Sequence, residues 1–595
     1  MDILEERISA AMAATAGHED CAAIVRPATD ARFGDYQANG IMGLAKKLKT
    51  NPRKLAEEVV KNLDLSDICE PPEVAGPGFI NLRLKADFVA GELLEINKDS
   101  TDLGIEKTPE PKTIVVDFSS PNIAKQMHVG HLRSTIIGDC ICRTLEFLGH
   151  TVIRQNHIGD WGTQFGMLAC YLDYRNDEID AEYREKGLKR TRTFDVSISD
   201  MEEFYREAKK LFDSDAEFAD SSRKYVVQLH SPDRTHAQFN WEIIRSESLS
   251  HCFKIYNLLG GIFEREDIRG ESFYNDKLPD VVDKLVEKGY AVESDGAICV
   301  FPKGFKNKQG DPLPFIIQKS DGAYLYATTD LAALRYRVVE LKADAIIYVT
   351  DARQKLHFEM LFAVAKMAGW TRDDIELSHV MFGSVLGEDG SPLKTRSGEN
   401  VKLKELLDEA VQRAMSVVEE KNPELPEDKK AEIAKAVGIG AVKYADYSNN
   451  RTSDYVFSFD KMLAMDGNTA PYMQYAYARI KSIERKAQSK DVDIEAELAG
   501  VESLSLTEPA ELDLAKYLVR YGEAIQSAAT DYRPNYLTAY LYELAQKFSA
   551  FYTNCPVLIA GPDKRPTRLL LCDLTARTIR HGLHELLGIK VVDQM

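Results

Sequence analysis

Two hydrophobic periodicities alternate through the middle of the chain. Thr113-Ile114-Val115-Val116 is a β-branched apolar run flanked by prolines, which predicts a buried parallel strand. After a polar stretch, Leu132, Ile136, Ile137, Cys140, Leu145 and Leu148 recur at helical spacing, and Gly149 stands where a C-terminal cap is expected. Val152-Ile153-Arg154-Gln155-Asn156 predicts a second strand, Ala345-Ile346-Ile347-Tyr348-Val349-Thr350 another, and Met381-Phe382-Gly383-Ser384-Val385-Leu386 the last. Strands alternating with helices predict a doubly wound α/β sheet, whose ligands bind outside the carboxyl ends of the strands. Upstream, Leu4, Ile8, Met12 and then Leu55, Val59, Leu63 mark helices, and Phe33 to Asn39 is expected to open one. Ala75-Gly76-Pro77-Gly78 reads as a turn into a strand with alternating faces, from Phe79 to Leu84. From about residue 401 the pattern is almost wholly helical, beginning with Leu403, Leu406, Leu407, Ala410 and Met415.

These changes of period divide the chain. Residues 1–105 are expected to be a small α+β domain. Residues 106–400 are expected to be the doubly wound domain, entered through the polar linker Lys107 to Pro111 and interrupted at about 170–315 by a charged, mostly helical insertion. Residues 401–595 are expected to be an all-α domain. A chain of 595 residues has room for three or four domains.

Composition narrows the function. At 44% hydrophobic and 28% charged residues the chain is an ordinary soluble protein. A net charge of −19 argues against indiscriminate nucleic-acid binding, so any RNA contact must use local basic patches such as Lys46-Lys47-Leu48-Lys49 or Lys186-Gly187-Leu188-Lys189-Arg190. The nine cysteines are scattered without a CxxC pair, which points to a reducing, cytoplasmic setting. No apolar run approaches the roughly 20 residues that span a bilayer, so no membrane partner is expected.

The most specific chemistry lies between the first strand and the first long helix, in Asp117-Phe118-Ser119-Ser120-Pro121-Asn122-Ile123-Ala124-Lys125-Gln126-Met127-His128-Val129-Gly130-His131. His128 and His131, three apart at a helix start, can face one ligand. Free amides and the positive end of the helix dipole there favour a phosphate. Gly130 would let a flat base lie against its backbone, and Lys125 adds a full positive charge. Two histidines at this spacing also describe a structural or metal-linked pair. No Cys, Asp or Glu at ligand spacing accompanies them, so nucleotide binding is preferred and no bound metal is expected.

His128-Val129-Gly130-His131 resembles the HIGH signature of class I aminoacyl-tRNA synthetases. The whole stretch Asn122, Ile123, Ala124, Lys125, Gln126, Met127, His128, Val129, Gly130, His131 and Leu132, with the serines and proline before it, is similar to the arginyl-tRNA synthetase form. The resemblance implies a Rossmann-type catalytic fold that joins L-arginine to ATP, with magnesium, and passes the arginyl group to the terminal adenosine of tRNA(Arg). By the same resemblance Asp117, Ser120, Asn122, Tyr326, Asp330 and Gln354 bind arginine, with Tyr326 and Asp330 at the guanidinium and Asn122 near the α-amino end. By residue pattern alone, Asp330 is equally a helix cap, since Thr329 or Asp330 suits a helix start.

The loop Gly390-Ser391-Pro392-Leu393-Lys394-Thr395-Arg396-Ser397-Gly398 stands where class I enzymes carry KMSKS, but its second lysine position falls on Thr395. Lys394 and Arg396 are candidates for the missing charge, as is Lys125, and the degenerate loop suggests that activation needs bound tRNA. His157-Ile158-Gly159-Asp160 mimics the signature by letters and is read as a wall of the pocket. Phe79 and Asn81 share one side of a strand. The pattern alone describes a core phenylalanine beside a turn asparagine, whereas the resemblance makes them readers of the tRNA D-loop. Leu571-Cys572-Asp573-Leu574-Thr575-Ala576-Arg577 resembles the helix that names the DALR anticodon-binding domain, with Thr575 an imperfect match. The aromatics from Tyr472 to Tyr477 read as core before binding face. No long coiled coil stands out, and a monomer is expected. The competing assignments are another class I synthetase, a smaller nucleotidyltransferase, and a silent tRNA-binding scaffold.

Overall fold

The computed structural model describes residues 1–17, 21–186, 201–229, 231, 233–394, 401–488 and 492–595. In the N-terminal region, β1 (Val25–Pro27), β2 (Tyr36–Ala38), β3 (Glu73–Ala75) and β4 (Phe79–Leu82) form an antiparallel sheet in the order β1-β2-β4-β3. Leu4, Ile8 and Met12 of the helix Asp2–Ala16 and Leu55 and Val59 of the helix Pro52–Lys61 belong to its core. Phe33 to Asn39 does not open a helix, because Tyr36 and Ala38 alternate inward as β2 and the next helix begins only at Ile41.

The central sheet is parallel. It is built from β5 (Thr113–Asp117) and β6 (Thr151–Gln155), then, after a smaller sheet, β10 (Ala345–Asp351) and β11 (Glu376–Phe382), in the order β11-β10-β5-β6. Chain order runs outward one way from β5 to β6 and the other way from β10 to β11. The switch point therefore lies between β5 and β10, and their carboxyl ends border the crevice where such sheets bind ligands. The smaller sheet comprises β7 (Ala291–Ser294), β8 (Ala297–Val300) and β9 (Phe315–Gln318), all antiparallel. The interrupting segment is thus helical only in part. Asp295-Gly296 makes the hairpin turn that the charged composition concealed. The other part consists of the helices Thr163–Glu185, Met201–Ser214, Ala216–Leu229 and His236–Leu258.

Beyond β11, helices Leu403–Lys421 and Glu427–Tyr447 pack together, followed by Ala470–Gln488, Pro509–Leu518, Tyr521–Asp531, Pro534–Asn554 and Arg565–Arg580. Met473 and Tyr477 are core, while Tyr475 is exposed, so the aromatic stripe divides between the two expectations. The N-terminal sheet touches these helices through polar contacts. Lys516 pairs with Asp35 at 2.6 Å, and the Tyr36 hydroxyl donates to Glu523 at 2.7 Å. All nine cysteines are buried free thiols. Among the described residues no helix is long and apolar enough to cross a membrane.

Candidate active site

The rim of the crevice is locked by one buried cation. Arg337, on the helix Tyr326–Val339, is fully buried; it donates to Asp117 Oδ2 at 2.7 Å and to Gln155 Oε1 at 2.7 Å. It thereby ties the ends of β5 and β6 to that helix, with its guanidinium 5.1 Å from the Tyr348 ring on β10. Asp117 is accordingly engaged within the chain, and its other oxygen accepts from the Ser120 hydroxyl at 2.9 Å.

After β5 the backbone turns through Ser119 and Ser120, both at positive φ (70° and 43°), a strained conformation for residues with a side chain. Buried hydrogen bonds hold it there. The Ser119 N–H donates to Ser134 Oγ at 2.8 Å, the Ser120 N–H to Asn156 Oδ1 at 3.0 Å, and the Ser119 hydroxyl meets the Tyr256 hydroxyl at 3.0 Å. Asn122 follows on the exposed rim and folds its Oδ1 back onto the Ala124 N–H at 3.0 Å.

The signature turn is a short 3₁₀ turn, Val129–His131, leading into the helix Leu132–Phe147. His131 Nδ1 accepts the His128 N–H at 3.1 Å, and His128 Nδ1 accepts the Gly130 N–H at 3.0 Å. The rings lie 4.0 Å apart. An added Cβ on Gly130 would stand 2.7 Å from His128 Cε1, so this glycine makes room for the neighbouring imidazole. The expected free amides are not free. The N–H of Val129 goes to Val401, that of His131 to His128 and that of Leu132 to Val129. What the turn offers a ligand is the two Nε2 edges. Burial holds both imidazoles below their usual range, helped by Lys125 for His128 and by the neighbouring ring for His131, which falls to about 3.

The expected amino-acid residues border the same rim. Asp330 lies in the second turn of the helix Tyr326–Val339, which starts earlier than the caps Thr329 or Asp330 suggested. Its Oδ2 meets His357 Nε2 at 2.6 Å and its Oδ1 faces His157 at 3.9 Å. Tyr326 is 65% exposed and lies 5.0 Å from the His357 ring. Gln354 is exposed in the turn that follows β10. Sequence patterns gave no sign of Glu271, while Asp160 falls in the stretch read as a wall of the pocket. Asp160 is fully buried and accepts from Arg245 at 2.7 Å and from Ser272 at 2.9 and 2.8 Å. Glu271, next to Ser272, has its carboxyl pushed up to about 7 by burial, with Asp160 and Asp330 adding their negative charge. Glu271 and Asp330 thus bring negative charge to this side of the crevice, whereas the Asp160 carboxylate is already met by Arg245.

Lys125 is exposed, with its ammonium 4.5 Å from the Tyr205 ring. Lys394 is exposed at the end of the described part of its loop, and Arg396 lies outside the described residues. The far side of that loop returns to the signature: Lys402 pairs with His128 across an isolated bridge, and the Leu403 N–H donates to the Met127 carbonyl. In the N-terminal sheet Phe79 is half-buried, and Asn81 is nearly covered with its Oδ1 accepting from Gln37 at 2.9 Å. Among the described residues no group of three or more His, Cys, Asp or Glu side chains could hold a metal ion.

The chain matches known protein families along most of its length. Residues 95–459 match the family "tRNA synthetases class I (R), catalytic domain", residues 473–595 the DALR anticodon binding domain, and residues 2–84 the arginyl tRNA synthetase N terminal domain. The chain is 49% identical over 593 residues to an arginine–tRNA ligase of Hahella chejuensis, covering 100% of this chain and 99% of that one. It is 51% identical over 599 residues to an arginine–tRNA ligase of Synechococcus elongatus, with the same coverage. It superimposes on the arginyl-tRNA synthetase of Plasmodium falciparum with a TM-score of 0.83 at 31% identity, covering 100% of this chain and 99% of that one. The corresponding values for the Thermus thermophilus enzyme are 0.78 and 25%, with both chains fully covered. With a catalytic-domain match over more than half its length and relatives aligned from end to end, the chain belongs to the class I arginyl-tRNA synthetases.

Proposed function

We infer that this chain activates L-arginine with ATP and transfers the arginyl group to the 3′ terminal adenosine of tRNA(Arg), acting as a monomer in the cytoplasm. The negative charge of Asp330, which meets His357, and of Glu271, whose carboxyl feels Asp330 and Asp160, supports the reading most directly. Together they supply the carboxylates that a guanidinium needs in a partly dry pocket.

In this reading the guanidinium lies against Asp330 and Glu271, with Tyr326 and Gln354 at the rim, and the α-amino end lies near Asn122 and Ser120. Asp117 acts through Ser120 and Arg337. ATP arrives as its magnesium complex, a substrate whose ion is held mainly by phosphates and water. The Nε2–H edges of His128 and His131 face the phosphates, and Lys125, Lys394 and Arg396 supply charge. The arginine carboxylate oxygen attacks the α-phosphorus, the α–β phosphoanhydride bond breaks, and diphosphate leaves. A terminal ribose hydroxyl of the tRNA then attacks the arginyl carbonyl and AMP departs. The side chains form no covalent intermediate, so catalysis is positioning and charge stabilisation. Phe79 and Asn81 meet the D-loop, and the helices after residue 470 meet the anticodon.

Arginine-dependent exchange of labelled diphosphate into ATP, measured with and without tRNA across the amino acids, tests the reading. Arginine alone among them should support exchange, and only when tRNA is present. Exchange with a different amino acid would overturn the pocket assignment, and full exchange without tRNA would remove the requirement for it.

A further inference from the structure

Arg133 lies two residues beyond His131 and is 1% exposed, yet it touches no part of the pocket. Its guanidinium serves three separate segments. Nε lies 3.0 Å from Asp446 Oδ2, on the helix Glu427–Tyr447. Nη1 donates to the Gly383 carbonyl at 2.8 Å and to the Ser453 carbonyl at 2.9 Å. The plane stands 5.2 Å from the Tyr455 ring and 5.9 Å from that of Phe382.

Gly383 follows β11 and begins the loop that carries Lys394. Its neighbours come from the segment after Asp446. The Gly383 N–H donates to the Arg451 carbonyl at 2.9 Å, the Ser384 N–H to Asp454 Oδ1 at 2.6 Å, and Val385–Leu386 pairs in parallel with Tyr455–Val456. An added Cβ on Gly383 would stand 2.6 Å from Asp454 Oδ1 and from the Ser453 carbonyl carbon, so the two segments are in direct backbone contact. Arg451 in turn donates to the Met381 carbonyl at 2.6 Å and to the Tyr532 carbonyl at 2.9 Å, the latter beside the helix Tyr521–Asp531. The Tyr447 hydroxyl donates to the Ile136 carbonyl of the signature helix at 2.9 Å. The base of the lysine-bearing loop is therefore held between the signature helix and the C-terminal helices, and Arg133 is the side chain that touches all three.

We propose that Arg133 and Asp446 are positioning residues for the phosphate step, fixing the segment 383–386, which leads to Lys394, against the histidine turn and against the helical domain. Nη1 donates to two carbonyls while Nε faces the Asp446 carboxylate as its charge partner, a planar arrangement that the point charge of a lysine does not reproduce. A buried ion pair is a weak source of stability and is often replaceable by apolar groups of similar size, so its role here is geometric. Loss of the tie leaves the arginine pocket in place but lets Lys394 drift from the phosphates, and misplacement on the ångström scale is enough to slow a positioned reaction.

The inference rests on the ligase reading above, and the test separates the two. Arg133→Lys and the double variant Arg133→Met with Asp446→Leu are compared with the unmodified chain in arginine- and tRNA-dependent ATP–diphosphate exchange, with thermal melting alongside. The unmodified chain must exchange, or the ligase reading itself fails. Given that, both variants should melt within a few degrees of it and lose about tenfold or more in kcat, with the KM for arginine unchanged. A folded double variant with unchanged kcat would overturn the proposal. So would a rate loss in Arg133→Lys that disappears once activity is corrected for the fraction folded.

Discussion

His131 accepts the backbone N–H of His128 at its Nδ1, and His128 accepts that of Gly130 in the same way. An imidazole nitrogen that accepts a hydrogen bond carries no proton, so in both rings the proton resides on Nε2. The backbone of the turn has thereby fixed two neutral donors aimed away from the helix. A donor directed at the charge that develops on a phosphate contributes about 3–4 kcal/mol to such a step. His131→Ala is therefore expected to lower kcat/KM for ATP by roughly a hundredfold to a thousandfold, with the KM for arginine little changed. The check is steady-state exchange kinetics on a variant whose circular dichroism matches the parent.

Gly130→Ala tests the same turn from the other side. The new methyl would stand 2.7 Å from His128 Cε1, closer than any stable contact, so the ring must leave its backbone acceptor position. We expect about a tenfold to hundredfold fall in kcat with an unchanged melting temperature. A variant with parental kcat would show that the fold-back of His128 is not used.

Glu271 is expected to make arginine binding depend on pH. Its carboxyl titrates at about 7, raised by burial, then by Asp160 and Asp330. A guanidinium prefers the ionised form, so below that value binding must first expel a proton and weakens as pH falls. The KM for arginine should drop about tenfold from pH 6 to pH 8, and Glu271→Gln should remove that dependence. Because burial keeps His131 neutral down to about 3, its ring should show no titration over the same range by NMR.

Arg337 carries a stability prediction. Arg337→Met would leave Asp117 nearly buried, with its charge partner gone, an arrangement that costs about 3–5 kcal/mol. Urea denaturation should show that loss, while a folded fraction of the variant retains tRNA binding through the distant helices.

In the N-terminal sheet, Phe79→Ala should raise the KM for tRNA about tenfold without changing arginine-dependent exchange at saturating tRNA, as the loss of one stacked base would. Asn81→Ala is expected to cost stability as well, because its Oδ1 already serves Gln37 inside the sheet. Nitrocellulose filter binding with labelled tRNA(Arg) distinguishes the two.

The sequence was most legible where one local rule decides the structure. The apolar runs at Val115 and Ile347 could only be buried strands, and the polar stretch between Asp117 and His131 had to be the turn at the sheet's rim. Phe33 to Asn39 misled because two inward positions are too few to separate a strand from a helix start. The amides after His128 were expected to await a phosphate, but the side chain of His128 itself and the Val401 carbonyl had already taken them. That outcome depends on a residue more than 270 positions away, which no local pattern contains. Glu271 was silent for the same reason, and Asp160 was read only as part of a pocket wall. Each is an ordinary acidic residue until the fold sets them against Asp330. Arg133 reads as a routine polar position in an amphipathic helix, and only its contacts with Gly383, Asp446 and Ser453 give it a role.

The measurement closest to the central claim is the formation of arginyl-tRNA from labelled arginine, magnesium–ATP and total tRNA, with the parent chain and His131→Ala side by side. Charging with arginine that collapses in the variant is the predicted result. Charging with another amino acid, or tRNA binding with no charging at all, would contradict it.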